Sequence, residues 1–382
     1  MKKIIYYWSP CLTKVGTVKS TLNSALALAK YNSNYDVRIL NVFGEWNIYD
    51  AYLKERGVKL ENLTFSYNNI LPKYGFIQSR LSYCIIFFLS FIPLIRLLKK
   101  KKPDYLIAHL ITSLPLILYN LFTFKTKLIL RISGYPKLGF IRKYLWSRSN
   151  DEIYKITCPT SELIKDLNNQ NVFLKDKVFL LTDAILNIED FINKKKEKIT
   201  ESDKKLPENF FLSVGRFTKQ KNFNYLVDEF KRFSINYPNE KLLIIGEGEL
   251  KKEIEKKIIS QKLSNNIFLL NQTNNVFYFM KKAKAFILPS LWEEPGFVIV
   301  EAAMSNTFVI SSNCKNGPKE FLSSGDAGFL FESNKKGALE KSLNFFMVYN
   351  NKDLLKKKIL AKKNSTKFSM FRHQVLLKKL ID

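Results

Sequence analysis

Short apolar runs in this chain repeatedly give way to a turn and then to apolar residues at helical spacing. That alternation is what most restricts its fold. Lys3 to Trp8 reads as a strand, followed by a turn at residues 9–17 that holds Pro10 and Gly16. A helix follows from about Val18 to Tyr31, with Val18, Leu22, Ala25, Leu26 and Ala29 on one face. Strand, glycine loop and helix open a Rossmann-like unit. Asp36 to Phe43, Pro103 to His109 and Leu128 to Ile132 read as further strands of the first half. Phe211 to Val214, Lys241 to Gly246, Ile267 to Leu270, Ala285 to Leu288 and Thr307 to Ser312 repeat the scheme in the second. Single cores stop growing at about 250–300 residues, so 382 residues predict two domains. The expectation is an α/β chain with two parallel sheets, ligands lying at the C-terminal ends of the strands.

The second half contains the most informative stretch, Pro289-Ser-Leu-Trp-Glu-Glu-Pro-Gly-Phe-Val-Ile-Val-Glu301. A strand precedes it, Pro295 and Gly296 make its turn, and an unbroken apolar helix runs from Val298 to Met304. The backbone N–H groups at Gly296, Phe297 and Val298 form an anion site at that helix start. Gly296 has no side chain to block a phosphate. Glu293 and Glu301 bracket the turn, eight positions apart, and a carboxylate accepts hydrogen bonds from sugar hydroxyls. Donors for phosphate and acceptors for hydroxyls suit a nucleotide sugar.

On these residues the stretch resembles the E-x7-E motif of retaining GT-B glycosyltransferases, most closely glycosyltransferase family 4. The resemblance extends to Gly215-Arg216 and Lys221, which match the family's G-R-x(4)-K, where the Arg and Lys reach the donor diphosphate. A leaving diphosphate gains negative charge, so two cations there have a chemical purpose. Gly16 matches the glycine loop of the first domain, although the usual second glycine is absent. His109 matches a histidine that the family places near the donor sugar and acceptor. Read from the residue alone, it is either a hydrogen-bonding group near neutral pH or a satisfied core histidine. Arg131 and Ser133 are weaker candidates. Asn316-Gly-Pro-Lys-Glu320 resembles the family's G-P-x-E loop, in which Lys319 and Glu320 would fix local structure. Asn271 stands where relatives carry glycine in the base-binding loop.

The resemblance implies a GT-B fold, two Rossmann-like parallel-sheet domains facing a central cleft. It divides the chain into an acceptor-binding domain at 1–190, a linker at 191–207, a donor-binding domain at 208–365 and a helix at 366–382 that crosses back to the first domain. The implied site is Glu293, His109, Arg216 and Lys221 for catalysis, with Gly16, Gly215, Gly296, Phe297, Val298 and Glu301 completing the donor pocket. The implied activity moves a sugar from a nucleotide-diphosphate sugar, a UDP-sugar first among them, to a glycan or lipid-linked acceptor with retention, as in capsule, O-antigen or lipopolysaccharide assembly. No cofactor or metal is expected, and no D-x-D occurs in the chain. A same-fold sugar-nucleotide epimerase or phosphorylase would share this site.

The net charge of +28 points to a polyanionic partner or to lysine enrichment in an AT-rich genome. A nucleic-acid-binding protein is the reading from a different class. The basic residues are not interleaved with aromatics in a nucleic-acid motif, so no nucleic acid is expected. The four cysteines form no C-x-x-C pair, which fits reduced thiols in a cytoplasm. Met1 to Pro10 reads as a first strand rather than a signal peptide. Leu81 to Ile95 is uncharged and followed by Arg96 and Lys99 to Lys102. With Pro93 inside, it is shorter than the ~20 residues that span a bilayer. It is either a helix packed on the sheet or an interfacial helix on a membrane, and one helix can be both on different faces. The expected location is cytoplasmic, peripheral to the inner membrane face.

Overall fold

The computed structural model describes residues 2–12, 16–72, 76–136, 138–197, 207–273, 275–293 and 295–382. The chain forms two compact units, one of residues 1–185 with 369–382 and one of residues 186–368.

Seven strands make the sheet of the first unit: β1 (Lys3–Trp8), β2 (Tyr35–Asn41), β3 (Lys59–Asn62), β4 (Tyr105–Ala108), β5 (Lys127–Arg131), β6 (Ile153–Cys158) and β7 (Val178–Leu180). All pair in parallel, in the order β3-β2-β1-β4-β5-β6-β7. The chain starts mid-sheet, builds outward to β3, then returns to lay β4 beside β1. The strand order therefore reverses between β1 and β4, and a crevice opens at such a point beyond the strands' C-terminal ends. Every residue of β4 is buried, as in a parallel strand covered on both faces.

Helices Phe76–Lys101, Ser113–Leu121, Phe140–Arg148 and Ser161–Asn169 cover one face, packing Ile86, Leu94, Leu118, Trp146 and Leu163 against Leu106, Leu128 and Ile156. The other face is covered by helices Gly16–Tyr31 and Met370–Ile381. Helix Gly16–Tyr31 packs on both the sheet and the last helix, and its polar residues Ser20, Thr21, Asn23 and Ser24 are buried as well.

In the second unit the strands are β8 (Phe211–Val214), β9 (Leu242–Ile245), β10 (Ile267–Leu270), β11 (Ala285–Leu288), β12 (Phe308–Ser312) and β13 (Phe329–Phe331). They are parallel, in the order β10-β9-β8-β11-β12-β13, and the reversal falls between β8 and β11. Phe211 sits at the centre of an aromatic cluster with Phe230, Phe233 and Phe346.

Three expectations differ from the structure. The linker placed at 191–207 begins inside a helix, Ile188–Lys196. Asn187 caps that helix on the Asp190 N–H, and Glu189 and Asp190 lie in its first turn. Lys194, Lys195 and Lys196 lie in its last, the arrangement that suits a helix dipole. Its Phe191 meets Phe277 edge-on at 5.0 Å. Residues 198–206 of the linker lie outside the described residues. The apolar run at 81–95 is the middle of a 26-residue helix with Pro93 inside. From Arg80 to Lys101 this helix is long and apolar enough to cross a membrane by length and composition, and a third of its apolar window is buried. Finally, strands β3 and β7 occupy segments with no strand pattern of their own.

Candidate functional site

In the second unit, three loops converge beyond the ends of adjacent strands β8, β11 and β12. The loop after β8 carries Gly215, Arg216 and the short turn Lys219–Lys221, which Asn222 closes in the left-handed conformation at φ 55°. Gln220 stitches this loop to the one after β11. Its carbonyl accepts from Leu291 N at 2.9 Å, and its Nε2 donates to the Trp292 carbonyl at 2.9 Å. The loop after β12 joins through Glu293 N, which donates to the Lys315 carbonyl at 3.2 Å.

Those backbone bonds place Lys221 against Glu293. Lys221 Nζ lies 2.6 Å from Glu293 Oε1, and Ser290 Oγ donates to the same oxygen at 2.5 Å. The side chains are 14% and 4% exposed. Both contacts fall on Oε1, and Oε2 has no partner among the described residues, so it can accept from a ligand. Arg216 is exposed, and no ion pair holds it among the described residues. It is a cation without a local carboxylate.

Gly296, at φ 92°, turns the chain into helix Phe297–Met304. Its position just before the helix leaves the N–H groups of Phe297 and Val298 outside the helical hydrogen-bond ladder. Glu301 sits one turn further on and is buried. Glu294 lies outside the described residues. The turn is backed by Gly317 at φ 133°, where a Cβ would come within 2.1 Å of the Pro295 carbonyl oxygen. Only glycine fits there.

Two glycines hold the β8 loop in the same way. A Cβ on Gly246 would lie 1.9 Å from the Gly215 carbonyl oxygen, and one on Gly248 would strike the backbone of Phe217. A Cβ on Gly215 would press on the Lys221 stem at 3.2 Å. Gly246→Ala is therefore expected to push the loop off β9. It should cost about 1–3 kcal/mol, as overpacking does, and misplace Arg216 and Lys221 together. Urea unfolding with nucleotide binding measures both; an unchanged midpoint would mean that the loop yields freely.

In the first unit, His109 follows β4 and Gly16 begins the helix after β1, so both belong to the β1/β4 reversal. Residues 13–15 of the intervening loop lie outside the described residues. His109 is buried. Its backbone N–H donates to the Trp8 carbonyl at 2.9 Å, and its Nδ1 lies 3.1 Å from Thr21 Oγ1. Thr21 donates onward to Ser9 Oγ, so Nδ1 carries the proton toward Thr21 and Nε2 is left as an acceptor. Burial, helped by the Arg131 cation and by the nearness of His373, holds the His109 pKa well below its ordinary value, so the ring is neutral at pH 7.

Arg131 is not available to a ligand. It is buried, donates to the Leu181 carbonyl at 2.5 Å and pairs with Asp183 at 2.6 Å. Ser20 also donates to Asp183, at 2.5 Å. A second buried chain runs from Tyr7 to Ser24 at 2.8 Å, to His373 Nε2 at 2.7 Å, and from His373 Nδ1 to the Thr182 carbonyl at 2.6 Å. A carbonyl only accepts, so Nδ1 bears the hydrogen and Nε2 receives the Ser24 proton. This network is not legible in the sequence alone. Its signal was the cluster Ser20, Thr21, Asn23 and Ser24, which an amphipathic reading assigns to solvent. Among the described residues, no group of three or more His, Cys, Asp or Glu is gathered as for a metal ion.

Residues 194–364 match the family model described as glycosyl transferases group 1. An uncharacterized glycosyltransferase of Methanocaldococcus jannaschii is 32% identical over 60% of this chain and 60% of its own. The N-acetylgalactosamine-N,N'-diacetylbacillosaminyl-diphospho-undecaprenol 4-alpha-N-acetylgalactosaminyltransferase of Campylobacter jejuni is 27% identical over 59% of this chain and 62% of its own. The chain thus spans about three-fifths of the length of these two relatives. The crystal structure of Anabaena HepE in complex with UDP and glucose superposes with a TM-score of 0.72 at 13% identity, covering 99% of each chain. The chain has the GT-B fold of two parallel-sheet α/β units, and residues 194–364 carry the glycosyl transferases group 1 pattern within it.

Proposed function

We propose that this protein is a retaining, family 4-like glycosyltransferase that uses a nucleotide-diphosphate sugar, a UDP-sugar first among the candidates. The observation that carries the reading is the Lys221–Glu293–Ser290 cluster beside the helix start at Gly296. A cation, a carboxylate with one unoccupied oxygen and helix N–H groups lie together at a strand-order reversal. The names of the relatives support it, one being a transferase for a diphospho-undecaprenol substrate and one a UDP complex.

In this reading the bond from the sugar's anomeric carbon to the diphosphate oxygen breaks, and its electron pair stays on the diphosphate. Arg216, Lys221 and the N–H groups of Phe297 and Val298 meet that charge. Glu293 Oε2 accepts from donor-sugar hydroxyls and Glu301 from the ribose. Neutral His109 accepts a hydroxyl hydrogen through Nε2. The acceptor hydroxyl bonds to the anomeric carbon on the face the diphosphate leaves, and its proton passes to the departing phosphate oxygen. No cofactor is assigned a step. The acceptor is a lipid-linked glycan at the inner membrane face, reached through helix Phe76–Lys101, whose last turn carries Lys99, Lys100 and Lys101.

The test is a thermal-shift screen against UDP, GDP, ADP and their common sugars. A ligand at a hundred times Kd adds about 2.7 kcal/mol of stability. One nucleotide class is expected to stabilise the wild type, and Arg216→Ala to lose that gain. No response from a folded sample would overturn the reading. Product analysis then separates transfer to an acceptor from epimerisation and from phosphate-dependent cleavage.

A further inference from the structure

We infer that the first unit docks on an anionic bilayer with the strand-end edge of one helical layer, and that helix Phe140–Arg148 is the second point of contact. The inference rests on the membrane-side acceptor proposed above and adds where the bilayer lies.

Two helices of the first unit each carry several strongly exposed apolar side chains. Phe140 is 87% exposed, Ile141 82% and Tyr144 63%, all within five residues of one nine-residue helix. Trp146 of the same helix is buried in the core, so the helix is anchored and its opposite face is unpartnered. On helix Phe76–Lys101, Leu81, Phe88 and Ile92 form an exposed stripe, while Ile86, Leu94 and Leu98 are buried in the core of the first unit. A water-facing helix normally carries polar residues on that side.

Both patches lie toward one edge. Helix Phe76–Lys101 ends just before β4 begins, so its C-terminal end is at the strand-start edge. Its 26 residues run about 39 Å, against about 13 Å for four-residue β4, so its N-terminal half overhangs the strand ends. Leu81 and Phe88 sit on that overhang. Helix Phe140–Arg148 begins after the chain leaves the C-terminal end of β5, on the same sheet face. The edge is also that of His109. A membrane against it would present a lipid-linked chain to the residues beyond β4 without lifting the lipid from the bilayer.

Charge fixes the partner. Helix Phe140–Arg148 contains Arg142, Lys143 and Arg148 and no acidic residue. Helix Phe76–Lys101 has Arg80 at one end of its stripe and Arg96 to Lys101 at the other, again with no acidic residue. Aromatic and aliphatic residues flanked by cations match an anionic interface, where apolar burial and headgroup attraction add.

The experiment is flotation of the full chain with vesicles of phosphatidylcholine alone or with phosphatidylglycerol. The wild type is expected to bind the anionic vesicles, more weakly as salt rises. Phe140→Ser with Ile141→Ser should weaken binding at least tenfold. Both sites are exposed, so the fold and the nucleotide-induced thermal shift should be unchanged in that variant. Phe140→Trp should keep binding and add fluorescence that brominated lipid quenches. Undiminished binding by the double serine variant would overturn the inference. So would a wild type that ignores vesicles but self-associates through these residues. Vesicle binding needs no sugar donor, so its failure is separable from failure of the proposed transfer.

Discussion

Lys221→Met is expected to lower stability by about 3 kcal/mol and to cut sugar transfer by at least a hundredfold. The two losses have different origins. Lys221 and Glu293 are 14% and 4% exposed and 2.6 Å apart. Removing one partner of a buried pair leaves the other charge desolvated, which typically costs about 3–5 kcal/mol. The lower end applies here because Ser290 still donates to Glu293 Oε1. The loss in transfer arises because the leaving diphosphate would lose a cation, and one electrostatic contact to a developing charge is worth about 10²–10³ in rate. The double variant Lys221→Met/Glu293→Gln separates them. It buries no unpaired charge, so its urea midpoint should return most of the way to the wild type. Its transfer rate should stay as low as that of the single variant or fall further. A double variant as unstable as the single one would show that the pair does not couple. A single variant that transfers normally would remove Lys221 from the donor site.

That pair also shows how far the sequence could be read. The residue types, their order and the turn around Gly296 were legible, because strand, glycine and helix start leave local marks. The bond between Lys221 and Glu293 was not. It depends on β8 and β11 being neighbours, and on Gln220 holding two loops that lie far apart in the chain. Helix Phe297–Met304 and strand Ala285–Leu288 fell within a residue of their expected ends, since each is a run of apolar residues with a clear breaker. Strand β3, Lys-Leu-Glu-Asn, carries polar residues because it is an edge strand, so periodicity missed it. The lysines at 194–196 looked like linker, although capping and dipole complementarity make them a helix end. The burial of Ser20 and Ser24 was not legible, because their partners Asp183 and His373 lie 163 and 349 residues away in the chain.

The same burial makes the protein acid-sensitive in a way one substitution isolates. His373 is held neutral. Burial, with the Arg131 cation opposing a proton, outweighs the Thr182 carbonyl and the Asp183 carboxylate and brings its pKa down to about 4 from 6.5. A depressed folded-state value stabilises the fold above the unfolded pKa. That stability is lost as pH falls from about 6.5 toward 4, because the unfolded chain takes up the proton first. At pH 4.5 the loss should reach about 2–3 kcal/mol from this group. His109 adds to the same slope, since its pKa is also lowered. Glu45 opposes it. Burial raises that carboxyl to about 7 against the backbone N–H groups of Phe43, Glu45 and Val42, so its contribution is full in acid and fades as pH rises from about 4.5 to 7. The wild-type profile is therefore flatter than any one group would make it, and the contribution of His373 shows as a difference between two proteins. His373→Gln keeps a donor and an acceptor for Thr182 and Ser24 and cannot titrate. The drop in urea-derived stability from pH 7.5 to 4.5 should be smaller in this variant than in the wild type by about 2–3 kcal/mol, with His109 and Glu45 common to both. Equal drops would mean that His373 is charged or solvated in the fold, and the hydrogen-bond chain from Tyr7 through Ser24 would then have to be redrawn.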